Sequence, residues 1–204
     1  MNKIAILCPS RGLIFAETIK SLVNNMRWFS TELIVVSGLP IPDAQNELVR
    51  QALKTDANYL FFVEEDNTFP SDVLKQMVEM KKDVVCVDYP VINGWSTIKK
   101  KGSEILHCGL GCTLIRRIVF ETLKEPWFKT DKSLNADTNE IMDIPMKYGG
   151  HDIFFGIDLR KHGFKIHQLD GVECGHLRCS DLNRQEYNNG VFNINHLPPV
   201  SKRQ

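Results

Sequence analysis

Through the first half of the chain, short apolar runs alternate with apolar positions at helical spacing. "KIAILC" (3–8) reads as a strand, and Phe15, Ile19, Leu22 and Val23 follow on one helical face. "ELIVVS" (32–37) is a second strand, and Ala44, Leu48, Ala52 and Leu53 line the helix after it. "YLFFV" (59–63) is apolar throughout, as a parallel strand covered on both faces should be. Ser71 is placed to cap a helix carrying Val73, Leu74, Met77 and Val78, and "DVVCVD" (83–88) is a fourth strand. A βαβαβαβ run of this kind predicts a parallel sheet with helices on both faces.

Regularity fades beyond that point. Residues 89–104 read as a loop or hairpin with a basic knot at Lys99, Lys100 and Lys101. "EILHCGLGCTLIRR" predicts a strand, a Gly-punctuated turn and another strand, followed by a short helix through Phe120 and Leu123. Residues 125–148 are polar and irregular. A helix is expected from about His151 to His162, with Ile153, Phe154 and Ile157 facing inward and Gly163 ending it. "FKIHQL" (164–169) is a last strand. The expected architecture is one α/β domain over residues 1–180, a mostly parallel Rossmann-like sheet flanked by helices with an irregular second half, and a tail over 181–204.

Composition adds exclusions. Lys plus Arg and Asp plus Glu balance at 25 each in 204 residues, which removes a bulk electrostatic drive toward nucleic acid. No apolar run approaches the roughly 20 residues of a membrane helix. The N-terminus carries no small-residue cleavage site, so a cytoplasmic protein is expected, with free thiols at Cys8, Cys86, Cys108, Cys112, Cys174 and Cys179.

The candidate chemistry begins at "FFVEEDNTFPSD", where the third strand runs into Glu64, Glu65 and Asp66. In an open α/β sheet, ligands bind beyond the carboxyl ends of the strands. Alternation turns Glu64 and Asp66 the same way and Glu65 opposite, as a bystander. Two converging carboxylates raise each other's pKa unless a cation neutralises them, and oxygen ligands suit Mg²⁺ or Mn²⁺. A solvated acidic loop capping the next helix would satisfy the same pattern.

This segment resembles the metal-binding Asp-x-Asp-type motif of GT-A fold nucleotide-sugar glycosyltransferases of the family-2 kind, written here as Glu64-x-Asp66. The resemblance implies that Asp66 is the more direct metal ligand and that Glu64 reaches ribose or metal-bound water. It extends to "ILCPSRG", where Pro9, Ser10 and Arg11 would border the nucleotide, and to "PDAQNELVRQAL", where Asn46 is a candidate nucleotide contact next to Gln45. "GLGCTLIRR" is similar to the turn beside donor sugar and acceptor, which implicates Gly109 and Gly111. "GGHDIFFGIDLRKHGFKIHQLDGVECGHLR" resembles the block that carries the general base and a distant metal-binding His. It implies Asp152 as base, His151 in place of the acid that commonly precedes it, and His176 as a ligand favouring Mn²⁺ over Mg²⁺.

A helix N-terminus favours the ionised form of Asp152, as proton abstraction from an acceptor hydroxyl requires, although a plain first-turn acid fits too. Trp95 and Trp127 are candidates for sugar stacking or for anchoring their loops by burial. Lys99–Lys101 reads as a solvated loop, a lid over diphosphate or a contact to an anionic acceptor. His107, Cys108 and Cys112 could suggest zinc, but no second pair completes a site.

The resemblance thus predicts inverting transfer from a nucleoside-diphosphate sugar, a UDP-sugar being the expected donor, to an unidentified acceptor. A sugar-nucleotide pyrophosphorylase and a nucleotide- or carbohydrate-binding module with decayed chemistry are the competing readings. A chain of 204 residues has little room for an acceptor domain, so a partner or a second copy is expected to complete that wall.

Overall fold

A computed structural model describes residues 2–91, 96–130, 133–134, 141–142, 150–181 and 184–187. The first half follows the apolar pattern. Strand β1 (Lys3–Ser10) leads to α1 (Ala16–Met26), β2 (Ser30–Ser37), α2 (Asp43–Ala52) and β3 (Tyr59–Val63). A two-residue strand β4 (Asn67–Thr68) precedes α3 (Val73–Glu79) and β5 (Val84–Cys86). The hairpin strands β6 (Ile98–Lys101) and β7 (Glu104–Cys108) come next, then β8 (Cys112–Arg116) and α4 (Arg117–Thr122). Beyond the short pair β9 (Ser133–Leu134) and β10 (Ile141–Met142) lie α5 (His151–Lys161), β11 (Ile166–Gln168), β12 (Gly175–Asp181) and β13 (Arg184–Tyr187).

Six strands form the main sheet in the order β11-β5-β8-β3-β1-β2. All its pairs are parallel except those of β8, which runs antiparallel between β3 and β5. The expected fourth parallel strand therefore does not pair with the third. The Gly-rich turn after β7 returns the chain as β8, which separates them. Gly111 makes this turn possible: an added Cβ would lie 2.6 Å from Asn67 Oδ1 and from Tyr89 Cζ.

Alternation along β1 divides the core. Ile4, Ile6 and Cys8 join Leu22, Phe61, Leu74 and Met77 on the α1/α3 face. Ala5 and Leu7 join Leu48, Phe62, Phe120, Phe128 and Phe155 on the other. Burying each such large side chain contributes about 1.5–3 kcal/mol, and β1 and β3 do so on both faces.

Several local expectations are corrected. Ile19 and Val23 are 37% and 60% exposed, while α1 buries Thr18, Ser21, Leu22 and Asn25. The buried polar groups have work to do: Ser21 Oγ accepts from Phe69 N at 3.2 Å, and Asn25 Oδ1 accepts from Leu74 N at 3.0 Å. Asn25 thus caps α3 from another helix, and the Ser71 side chain does not; α3 starts after Asp72. Helix α5 buries Phe154, Phe155, Gly156 and Leu159, with Ile153 and Ile157 only half-buried. Trp127 is buried and donates from Nε1 to Phe120 O, so it anchors its loop. Among the described residues, no helix is long and apolar enough to cross a membrane. The described cysteines, Cys8, Cys86, Cys108, Cys112 and Cys174, are free and buried.

Candidate active site

The acidic triplet leaves the sheet where β3 ends at Val63. The chain then pairs β4 antiparallel with β12, matching Thr68 to Gly175 and Asn67 to His176. Leu177 N donates to Asp66 O at 2.7 Å, which extends this pairing to the triplet itself. Gly175 permits the approach, because a Cβ there would meet Thr68 Oγ1 at 2.5 Å.

His176 is thereby carried to Asp66, with Nε2 3.4 Å from Oδ1. Its Nδ1 lies 3.0 Å from the Pro90 carbonyl oxygen. A carbonyl only accepts, so Nδ1 carries a proton and Nε2 is the nitrogen presented to the carboxylates. The Tyr89 ring meets the imidazole edge-to-face at 5.7 Å between centroids. Ligand atoms of Glu64, Asp66 and His176 all lie within 4.8 Å of one another. Among the described residues this is the group of metal-capable side chains brought together, and His107, Cys108 and Cys112 form none.

The electrostatics follow from crowding. Glu64 is pushed up to about 7, first by desolvation and then by Asp66 and Asp152, with His176 and Arg11 opposing. For His176 burial works downward, but the hydrogen bond and charge of Asp66, then Glu64 and the Pro90 carbonyl, outweigh it and raise the imidazole. A proton shared in this cluster and a divalent cation are alternative ways of relieving one repulsion.

Glu65 is no bystander. It is 6% exposed and accepts from Ser10 Oγ at 2.8 Å, from Arg11 N at 2.7 Å and from Arg11 Nε. The guanidinium so anchored reaches on from Nη2 to Asp66 Oδ2 at 3.1 Å. The β1–β3 register explains the meeting: Leu7 pairs with Phe62, which sets Ser10 beside Glu65 three steps on. The apolar pattern announces both strands but not their adjacency, and adjacency is what reveals this residue.

These groups border a cavity of about 540 Å³. Pro9, Ser10, Arg11, Glu64, Asp66, His151 and His176, all singled out from sequence, line it together with Glu65. Leu39, Pro40 and Ile41 form an apolar wall after β2. The cavity lining therefore combines a charged cluster with an apolar segment.

Other expectations fare differently. Asn46 is 3% exposed, and its amide is spent on Phe128, donating to O at 2.9 Å and accepting from N at 3.1 Å. It therefore fastens a loop instead of meeting a nucleotide. Its neighbour Gln45 turns to the site, with Nε2 3.2 Å from His151 Nε2. Gln45 Oε1 and His151 Nδ1 are buried with no hydrogen-bond partner among the described residues. Gly109 and Gly111 do not line the cavity; both receive the Tyr89 side chain, whose Oη accepts from Gly111 N at 2.8 Å. Asp152 lies in the first turn of α5, entered through Gly150 at φ +75°, and its Oδ2 is 3.9 Å from His107 Nδ1. Trp95 lies outside the described residues.

No family model and no curated protein matches this sequence. Solved structures do. The chain aligns with A197 from STIV at a TM-score of 0.65 and 18% identity, over 100% of both chains. S. aureus TarS 1–349, in complex with UDP-GlcNAc, aligns at 0.52 and 12% identity over 85% of this chain. GalNAc-T7 with UDP, GalNAc and Mn²⁺ aligns at 0.53 and 9% identity over 86% of it. The fold is similar to that of GT-A glycosyltransferases. This chain spans 58% of the TarS chain and 44% of the GalNAc-T7 chain. The likeness also extends to a protein described as a glucose-1-phosphate thymidylyltransferase from Bacillus anthracis, at a TM-score of 0.51.

Proposed function

We propose that the chain is a metal-dependent glycosyltransferase that moves a sugar from a nucleoside-diphosphate sugar to an acceptor hydroxyl with inversion. The observation that supports it most is the convergence of Glu64, Asp66 and His176 on a cavity also lined by the apolar Leu39–Ile41 segment. Two carboxylates and an imidazole held by its other nitrogen suit Mn²⁺ better than Mg²⁺, which prefers oxygen alone. Bound there, the cation would supply Lewis-acid stabilisation of the leaving diphosphate.

The chain's own groups perform the rest. Arg11, fixed by Glu65, offers a second positive charge to the diphosphate. The Leu39–Ile41 wall and Pro9 receive the apolar faces of the nucleoside. Asp152 takes the proton of the acceptor hydroxyl as its oxygen bonds to the anomeric carbon and the bond to the diphosphate breaks. The donor is a UDP-sugar in this reading, and a partner or second copy of the chain completes the acceptor wall.

The test is release of UDP from UDP-GlcNAc with MnCl₂. Activity is expected in the wild type and a loss of at least about 100-fold in Asp66→Ala. Wild-type protein that neither turns over nor binds UDP-sugars, with or without Mn²⁺, would sink the proposal.

The likeness to a thymidylyltransferase favours a second reading, nucleotidyl transfer to a sugar phosphate. Release of pyrophosphate from UTP and glucose 1-phosphate would distinguish it.

A further inference from the structure

His107 stands on β7, opposite Lys99 of the neighbouring hairpin strand, and only 13% of its side chain is exposed. Its Nδ1 is buried and has no hydrogen-bond partner among the described residues, and Asp152 Oδ2 lies 3.9 Å from that atom. The separation is set by close packing of α5 on β7. A Cβ on Gly156 would run into the Leu106 carbonyl oxygen and lie 2.8 Å from His107 Cβ. Arg160, one helical turn further along, donates to that same Leu106 carbonyl and fixes the helix along the strand. Gly156 and Arg160 thus hold an imidazole nitrogen that lacks a partner among the described residues close to a carboxylate.

We propose that His107 is the positioning residue for Asp152, donating a hydrogen bond from Nδ1–H to Oδ2 and fixing the carboxylate toward the acceptor hydroxyl. The role rests on the reading of Asp152 as the proton acceptor. An orphaned buried nitrogen is costly, and this contact satisfies it without any other change in the fold.

The surroundings determine which protonation state does this. Among the described residues, the charged groups acting on His107 are Asp152 and Arg160 from α5 and Lys99 from β6. Burial lowers the imidazole; Asp152 works against it, and Arg160 and Lys99 reinforce it. A neutral ring has one N–H to give, and Nδ1 is the atom that faces Asp152. A neutral donor orients the carboxylate without cancelling its charge, so Asp152 keeps its ability to accept a proton. On its other sides, the charge of Asp152 acts on Glu64, Tyr89 and His151.

Two measurements test the assignment. The first needs no substrate: ¹⁵N NMR of the imidazoles across pH 5–8, in the wild type and in Asp152→Asn. The proton is expected on Nδ1 of His107, with a titration midpoint that falls in Asp152→Asn. A proton on Nε2, or a midpoint that Asp152→Asn leaves in place, overturns the inference. The second follows UDP release from UDP-GlcNAc with MnCl₂ against pH. His107→Ala is expected to lose about tenfold in kcat with donor KM unchanged, and to move the acid limb of the profile to higher pH. His107→Asn, whose Nδ2–H occupies the place of Nδ1–H, is expected to restore kcat to within about twofold. Loss in Asp152→Ala with no change in His107→Ala overturns the positioning role alone. Full turnover in Asp152→Ala overturns the base reading, and the role that depends on it, before His107 is considered.

Discussion

His176 Nε2 lies 3.4 Å from Asp66 Oδ1, and the same ring is held from behind by the Pro90 carbonyl at 3.0 Å. An imidazole fixed through one nitrogen and aimed by the other is the arrangement that metal-binding histidines adopt.

Manganese should therefore stabilise the folded chain. At a concentration about 100 times Kd, a ligand of the native state adds about 2.7 kcal/mol, a Tm rise of about 5–10 °C for a domain of this size. The rise is expected in the wild type and absent in Asp66→Ala and His176→Ala, measured by thermal shift with and without MnCl₂.

The response should depend on pH in one direction. Glu64 titrates near 4.5 unfolded and about 7 folded, so its contribution to stability is full below the first value and lost as pH rises through the second. His176, also raised by folding, works with the same sign. Without metal, stability from this cluster declines between pH 5 and 8. The cation competes with those protons, so its Kd should be about tenfold weaker at pH 6 than at pH 8. Calorimetric titration with MnCl₂ at the two pH values checks this, and equal affinities would contradict it.

Glu65→Ala should cost stability and ligand binding together. It strips the hydrogen bonds from Ser10 Oγ and Arg11 N and frees the Arg11 side chain. A loss of about 2 kcal/mol in urea unfolding is expected, with weaker binding of UDP.

Asn46→Ala separates the two effects. Both ends of its amide serve Phe128, so about 2 kcal/mol of stability should go while the Kd for UDP stays within about twofold of wild type. A large loss of nucleotide affinity in a well-folded Asn46→Ala would restore it as a direct contact.

Gly111→Ala carries the turn after β7 into the Glu64–Asp66–His176 cluster. Its Cβ would press on Tyr89, whose ring leans on His176. Overpacking of this kind costs about 1–3 kcal/mol. Weaker Mn²⁺ binding should accompany it, read from the same thermal shift.

Much of the sheet was legible because β1 and β3 are apolar on both faces and leave no polar face to confuse the period. The acid triplet stood out because it ends an apolar strand and because the segments around it resemble one family in order; the triplet by itself fits a solvated loop equally well. What escaped was pairing. That β8 inserts antiparallel beside β3 depends on the room made for Tyr89 at Gly111, which no local pattern records. Glu65 escaped because its partners Ser10 and Arg11 lie at the end of a neighbouring strand and just past it. The polar face of α1 was misread for the same reason, since Ser21 serves the loop before α3 and Asn25 the first turn of α3 itself. His176 could be flagged by resemblance, but its route to Asp66 runs through the two-residue strand β4, too short to carry any periodicity.

That short ladder between β4 and β12 has a mechanical consequence. It joins a segment just after the third strand to one near the far end of the chain, through few backbone contacts. A cation shared by Asp66 and His176 would act there as a cross-link, closing a long loop of polypeptide whose closure entropy two ladder steps offset only in part. The ion would then serve the protein as a clasp on its own C-terminal block, in addition to any task it has toward a substrate.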